Sequence, residues 1–80
     1  MKIYDPICTC NKIFEITAKR HLTDSNLAKM IGITPQAISK WRRGSGYPSL
    51  DVLVILSGIL DVSMDELLQY RMIDIRREEY

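Results

Sequence analysis

Residues 22–41, LTDSNLAKMIGITPQAISKW, decide the fold. Thr23 stands where a helix needs its N-cap, and Asp24 follows at the first position, where an acid suits the positive helix end. Leu27, Ala28 and Ile31 repeat at helical spacing, and Gly32 follows the last of them, the place for a left-handed residue that ends a helix. Thr34 then caps a second segment with Pro35 at its first position, running to Arg43, and Gly44 ends it in the same way. Two helices joined by a turn that holds a glycine cross near a right angle. The small Ala28 permits close approach, Ile33 fills the wedge of the turn, and Ile38 and Trp41 anchor the later helix. That register turns Gln36, Ala37, Ser39, Lys40 and Arg43 outward. An amide, a methyl, a hydroxyl and cations are what base edges and phosphates require: Gln bonds adenine in two places, Lys suits guanine, and Ala contacts a thymine methyl. The spacing thus predicts a helix-turn-helix over Thr23–Gly44 whose recognition helix enters the major groove of double-stranded DNA.

The flanking segments also read as short helices. A first helix opens at Asp5-Pro6 and runs to about Arg20, with Cys10, Ile13, Phe14 and Thr17 on one face and Ile16 near its edge. Thr9 and Asn11 are alternative starts, which would leave Met1 to Cys8 as an arm. Ser49 caps a fourth helix reaching Leu60, with Leu50, Leu53, Val54 and Leu56 or Ser57 expected to face inward. Ser63 caps a fifth, Met64 to about Tyr70, and Ser63 with Glu66 has capping-box spacing. No segment reads as a buried strand, although Ile73 and Ile75 alternate with Asp74 and Arg76 as an extended tail would. The expectation is an all-α, compact five-helix bundle forming a single domain over residues 1–80.

Composition excludes several classes. An apolar fraction of 46% over 80 residues suits one small globular core. The longest apolar run, Val52 to Leu56, stops at Ser57-Gly58, far short of a membrane span. The first residues lack the apolar stretch of a secretory signal, so a reduced cytoplasmic location is expected. The net charge of +1 conceals an asymmetry: residues 1–47 carry eight Lys/Arg against three Asp/Glu, and residues 48–80 carry three against seven. A basic half can follow phosphates while an acidic half must face elsewhere.

The stretch resembles the phage-repressor and Cro-like (XRE-type) helix-turn-helix family from about Lys12 to Leu68. The resemblance rests on Leu22-Thr23, Leu27-Ala28, Gly32-Ile33-Thr34, Ile38-Ser39-Lys40-Trp41, Arg43-Gly44, Tyr47-Pro48-Ser49-Leu50, Leu60-Asp61-Val62-Ser63 and Glu66-Leu67-Leu68, in order and at the right spacing. It implies a lambda-repressor-like five-helix fold and sequence-specific operator binding by a transcriptional regulator, commonly a repressor, as a dimer on half-sites about one helical turn apart. By position, Gln36, Ala37 and Lys40 match base-reading residues and Ser39 is a further contact. Thr34, Arg43 and the Gly44 amide match phosphate contacts. Three departures stand out. Asp24 replaces a frequent glutamine that meets a phosphate; an acid there repels a phosphate, and Ser25 is placed to take over the contact. Thr17 and Arg42 replace a frequent Arg–Glu pair, leaving Arg42 as a cation near the DNA backbone and a phosphate contact beside Arg43. Pro35 occupies a position that often reads a base and offers no side-chain donor.

Other features have plainer readings. Trp41 is in register with Ile38 and is expected to pack in the core rather than stack on a base. Lys29 is a further phosphate candidate. Cys8, Cys10 and His21 do not meet structural zinc spacing, so no metal or other cofactor and no small-molecule ligand is expected. The single histidine lacks a nucleophile partner and there is no glycine-rich phosphate loop, so no enzymatic activity is expected. The acidic C-terminal part has two readings, solvated surface remote from DNA or, the favoured one on account of Leu67, Leu68, Tyr70, Met72, Ile73 and Ile75, a homodimer contact over residues 69–80 and the helix before it. Two rival readings are a protein-interaction module, such as an antitoxin or antirepressor that keeps the fold without operator binding, which Asp24 and the lost Arg–Glu pair favour and Lys40-Trp41-Arg42-Arg43 argues against, and a thiol or metal sensor using Cys8 and Cys10.

Overall fold

A side chain or its hydroxyl opens each helix. In the computed structural model, which describes residues 1–74, Asp5 accepts from the Cys8 amide at 3.0 Å and starts α1, Pro6–Lys19. Thr23 accepts from Asn26 at 3.1 Å and starts α2, Asp24–Ile31; Thr34 accepts from Ala37 at 3.3 Å and starts α3, Pro35–Arg43. Ser49 and Ser63 do the same for α4, Leu50–Leu60, and α5, Met64–Leu67, accepting from Val52 and Glu66. The reciprocal capping box forms at Thr23 and Asn26, whose side chain accepts in return from the Thr23 amide; at Ser63 only the forward bond is made. Gly32 and Gly44 end α2 and α3 at φ +86° and +72°, the left-handed conformation that favours glycine.

The five helices close over one core: Cys10, Ile13 and Ile16 of α1, Leu27 and Ala28 of α2, Ile38 and Trp41 of α3, Leu53, Leu56 and Leu60 of α4, and Leu67 of α5. Trp41 is buried, as its register with Ile38 predicts.

Two expectations are corrected, and one small element is added. First, α4 is rotated from the expected register. Leu53, Leu56 and Leu60 point inward, while Leu50 and Val54 are 66% and 55% exposed. Ser57 is half-buried and donates to the Val62 carbonyl at 2.6 Å, which closes the turn after α4. Second, α5 stops at Leu67 rather than near Tyr70, because the Gln69 backbone is engaged elsewhere: its amide donates to the Thr9 hydroxyl at 2.9 Å and its carbonyl accepts from the Asp5 amide at 2.9 Å. The expected helical, five-helix fold holds, with a small two-stranded ribbon as a minor addition. A strand β1, Lys2–Tyr4, pairs antiparallel with β2, Tyr70–Met72, in the register Lys2↔Met72, Ile3↔Arg71, Tyr4↔Tyr70. The residues before α1 are therefore tied down rather than a free arm, and the extended segment precedes the Ile73–Ile75 alternation that hinted at it. Ile75 and the rest of the expected tail lie outside the described residues.

Candidate nucleic-acid interface

The outer face of α3 is built by its inner face. Ile38 is fully buried and Trp41 nearly so, which fixes the helix in rotation and leaves Gln36, Ser39, Lys40 and Arg43 exposed at spacings of three, one and three residues. These four form one stripe along the helix; Ala37 is half-buried at its border. Thr34 and Gly44 sit exposed at the two ends of α3, and Ser25 and Lys29 are exposed on α2, four residues apart and so on one face of it. Helix α3 contains no acid, and Lys29, Lys40 and Arg43 enter no ion pair among the described residues.

Arg42 differs from its neighbours. Its Nε and Nη2 donate to the two carboxylate oxygens of Asp24, each at 2.8 Å, in a bidentate pair between the last turn of α3 and the first turn of α2. The guanidinium also lies over the Phe14 ring of α1, 4.0 Å from its centroid. The hydrogen bonds from Arg42 hold the Asp24 carboxyl below the usual carboxylate range, and those same bonds raise Arg42. The Arg–Glu pair whose absence the sequence suggested thus has a substitute that spans three helices, and the acid expected to repel a phosphate is already neutralised.

One contributor escaped the sequence reading. A Cβ placed on Gly46 would stand 3.2 Å from the Lys40 Cβ, so the loop after α3 runs close along the Lys40 stem. Ser45 donates its amide to the Lys40 carbonyl at 2.9 Å, and the Tyr47 hydroxyl donates to the Gly44 carbonyl at 3.2 Å. The loop is folded back onto the end of α3. The glycine in Ser45-Gly46-Tyr47-Pro48 was the available signal, but it marks a turn without saying which side chain the turn meets.

The cysteines do not converge. Cys8 is exposed and Cys10 buried. Hydrogen bonding with the Asp5 carboxylate raises the Cys8 thiol, and burial raises Cys10, the opposite of what a reactive thiol needs. Among the described residues no group of three His, Cys, Asp or Glu is placed to hold a metal, and no helix is long and apolar enough to cross a membrane.

Of the apolar C-terminal side chains read as a contact for a second copy, Leu67 is fully buried and Leu68 partly so, both in the chain's own core. Tyr70, Met72 and Ile73 remain exposed on and beside the β1–β2 ribbon.

A helix-turn-helix family model matches residues 15–67. The chain is 37% identical over 57 residues to the HTH-type transcriptional activator BcrR of Enterococcus faecalis, covering 71% of this chain and 28% of that protein. It is 41% identical over 51 residues to YqaE, an uncharacterised HTH-type transcriptional regulator of Bacillus subtilis, covering 64% of this chain and 44% of that one. The match therefore spans less than half the length of either relative. Among solved structures, the restriction-modification controller protein C.AhdI from Aeromonas hydrophila superposes with a TM-score of 0.70 at 24% identity, covering 79% of this chain and 96% of that one, a likeness of fold.

Proposed function

This chain belongs to the XRE-type helix-turn-helix family, and on that premise we propose that it is a sequence-specific, DNA-binding transcriptional regulator, a repressor that acts in the cytoplasm. The observation that carries the reading is the exposed, acid-free stripe Gln36–Ser39–Lys40–Arg43 on a helix locked by Ile38 and Trp41. Gln36, Ala37, Ser39 and Lys40 read base edges; Arg43, Lys29, Ser25, Thr34 and the Gly44 amide meet phosphates and set the register. No step of this function calls for catalysis.

A monomer on one half-site binds weakly, so the reading includes a homodimer. Exposed Leu50, Val54 and Ile55 on α4, with Tyr70, Met72 and Ile73 beside the ribbon, supply the apolar surface for a second copy. The protein-interaction alternative drew on Asp24 and the lost Arg–Glu pair, and the bond between Asp24 and Arg42 weakens both supports.

Selection of bound sequences from a pool of random duplexes, with the mass of the complex measured, tests the proposal. A single enriched sequence with two-fold related halves about one helical turn apart, bound by two chains, is the expected result. A pool that returns unenriched, with binding insensitive to salt, would overturn it in favour of the interaction module.

A further inference from the structure

The last turn of α3 carries Lys40, Arg42 and Arg43, and only Arg42 is paired among the described residues. Its partner comes from another helix and its plane is set by a ring on a third, so three elements converge on one guanidinium. An exposed ion pair of this kind adds little to stability by itself. Its consequence for charge is larger. An arginine whose fork is spent on a carboxylate cannot offer the same donors to a phosphate. Attraction to DNA of any sequence grows with the number of phosphates neutralised, each adding about 0.9 to the slope of log K against log salt. Cancelling one of three neighbouring cations therefore removes sequence-independent affinity and leaves the base-reading side chains untouched. The bond also joins the first turn of α2 to the last turn of α3, across the angle at which α3 is presented.

We propose that Asp24 and Arg42, backed by Phe14, form a specificity clasp: Asp24 withholds Arg42 from the phosphates, and the pair fixes the approach angle of the recognition helix. Both are positioning residues, and the proposal rests on the DNA-binding reading above.

The test compares D24N, the double variant D24N/R42Q and the charge-swapped D24R/R42D with the parent chain, each confirmed helical by circular dichroism. Binding to the selected operator and to a random duplex is followed across a salt series. D24N frees a cation, so its random-duplex binding should tighten several-fold at about 0.1 M salt and its slope steepen by about 0.9, while the operator-to-random ratio falls. In D24N/R42Q the slope should return to the parent value and the ratio stay low. D24R/R42D, which restores a neutral pair, should recover both. A D24N slope equal to the parent's overturns the clasp. So does a D24N/R42Q slope about 0.9 shallower than the parent's, because Arg42 would then be a phosphate ligand in its own right. A parent chain that binds neither duplex sinks the DNA-binding reading and the clasp together, an outcome distinct from the other two.

Discussion

Lys40 reaches outward from α3, yet its aim is set partly by a residue six positions on. The space beside its stem is open only because position 46 has no side chain; a Cβ there would lie 3.2 Å from the Lys40 Cβ. Gly46→Ala should push that stem by a few tenths of an ångström and, on the proposed assignment of Lys40 to a base, lower discrimination at that base pair by a part of the roughly 1–3 kcal/mol that a good base contact supplies. Preference at the Gln36 position should be unchanged, and a selection experiment reports both at once. Gln36→Ala should cost about 1–3 kcal/mol of discrimination at one base pair. Arg43→Ala should instead weaken binding to all sequences alike and make the salt slope shallower by about one. Competition assays with single-base operator variants separate the two effects. If Gln36→Ala and Lys40→Ala both left affinity and preference as they were, the assigned reading face would be wrong.

The starts of α2 to α5 and the ends of α2 and α3 were readable because each rests on a local chemical necessity. Thr23, Thr34, Ser49 and Ser63 cap the helices that their positions announced, and Gly32 and Gly44 take the left-handed conformation expected of them. Neither glycine's Cβ position has a neighbour within 4 Å, so the cost of Gly32→Ala is the backbone's alone, about 1–2 kcal/mol for a side chain in that region. A shift of that size in the urea midpoint, with unchanged helical content at zero denaturant, is the expected outcome; an alanine variant as stable as the parent would contradict the left-handed cap. The inward face of α4 was not readable. In LDVLVILSGIL nearly every position is apolar, so periodicity cannot choose an arc and only contacts with the other helices decide it. The Asp24–Arg42 bond escaped for a related reason. Eighteen residues separate the partners, and whether they meet depends on the crossing of α2 and α3, which spacing alone does not give.

The two ends of the described chain meet in the ribbon, and that meeting is the least local feature of the molecule. Residue pairs about seventy positions apart leave no periodic trace, and three-residue strands are too short to announce themselves. What holds the ribbon to the helical body is a buried hydroxyl. Thr9 is fully buried in α1, and its Oγ1 accepts the Gln69 amide at 2.9 Å while the Gln69 carbonyl accepts from Asp5. The chain is thereby turned out of α5 and into β2, and Met1 and Ile73 exchange backbone hydrogen bonds at the far end. Thr9→Val keeps the shape of the side chain and deletes the acceptor, leaving a partly buried amide unpaired at a cost of up to about 1–3 kcal/mol. The loss should be confined to one end of the molecule. Hydrogen exchange at the Asp5, Gln69 and Ile73 amides should accelerate, while amides in α2 and α3 change no more than the drop in global stability requires. Operator binding per folded molecule should persist, because the proposed reading stripe is carried by α3 and its anchors Ile38 and Trp41 belong to the helical core. Equal acceleration in α3 would mean that the ribbon and α3 open as one unit, and that closure of the termini supports the proposed DNA-facing surface directly.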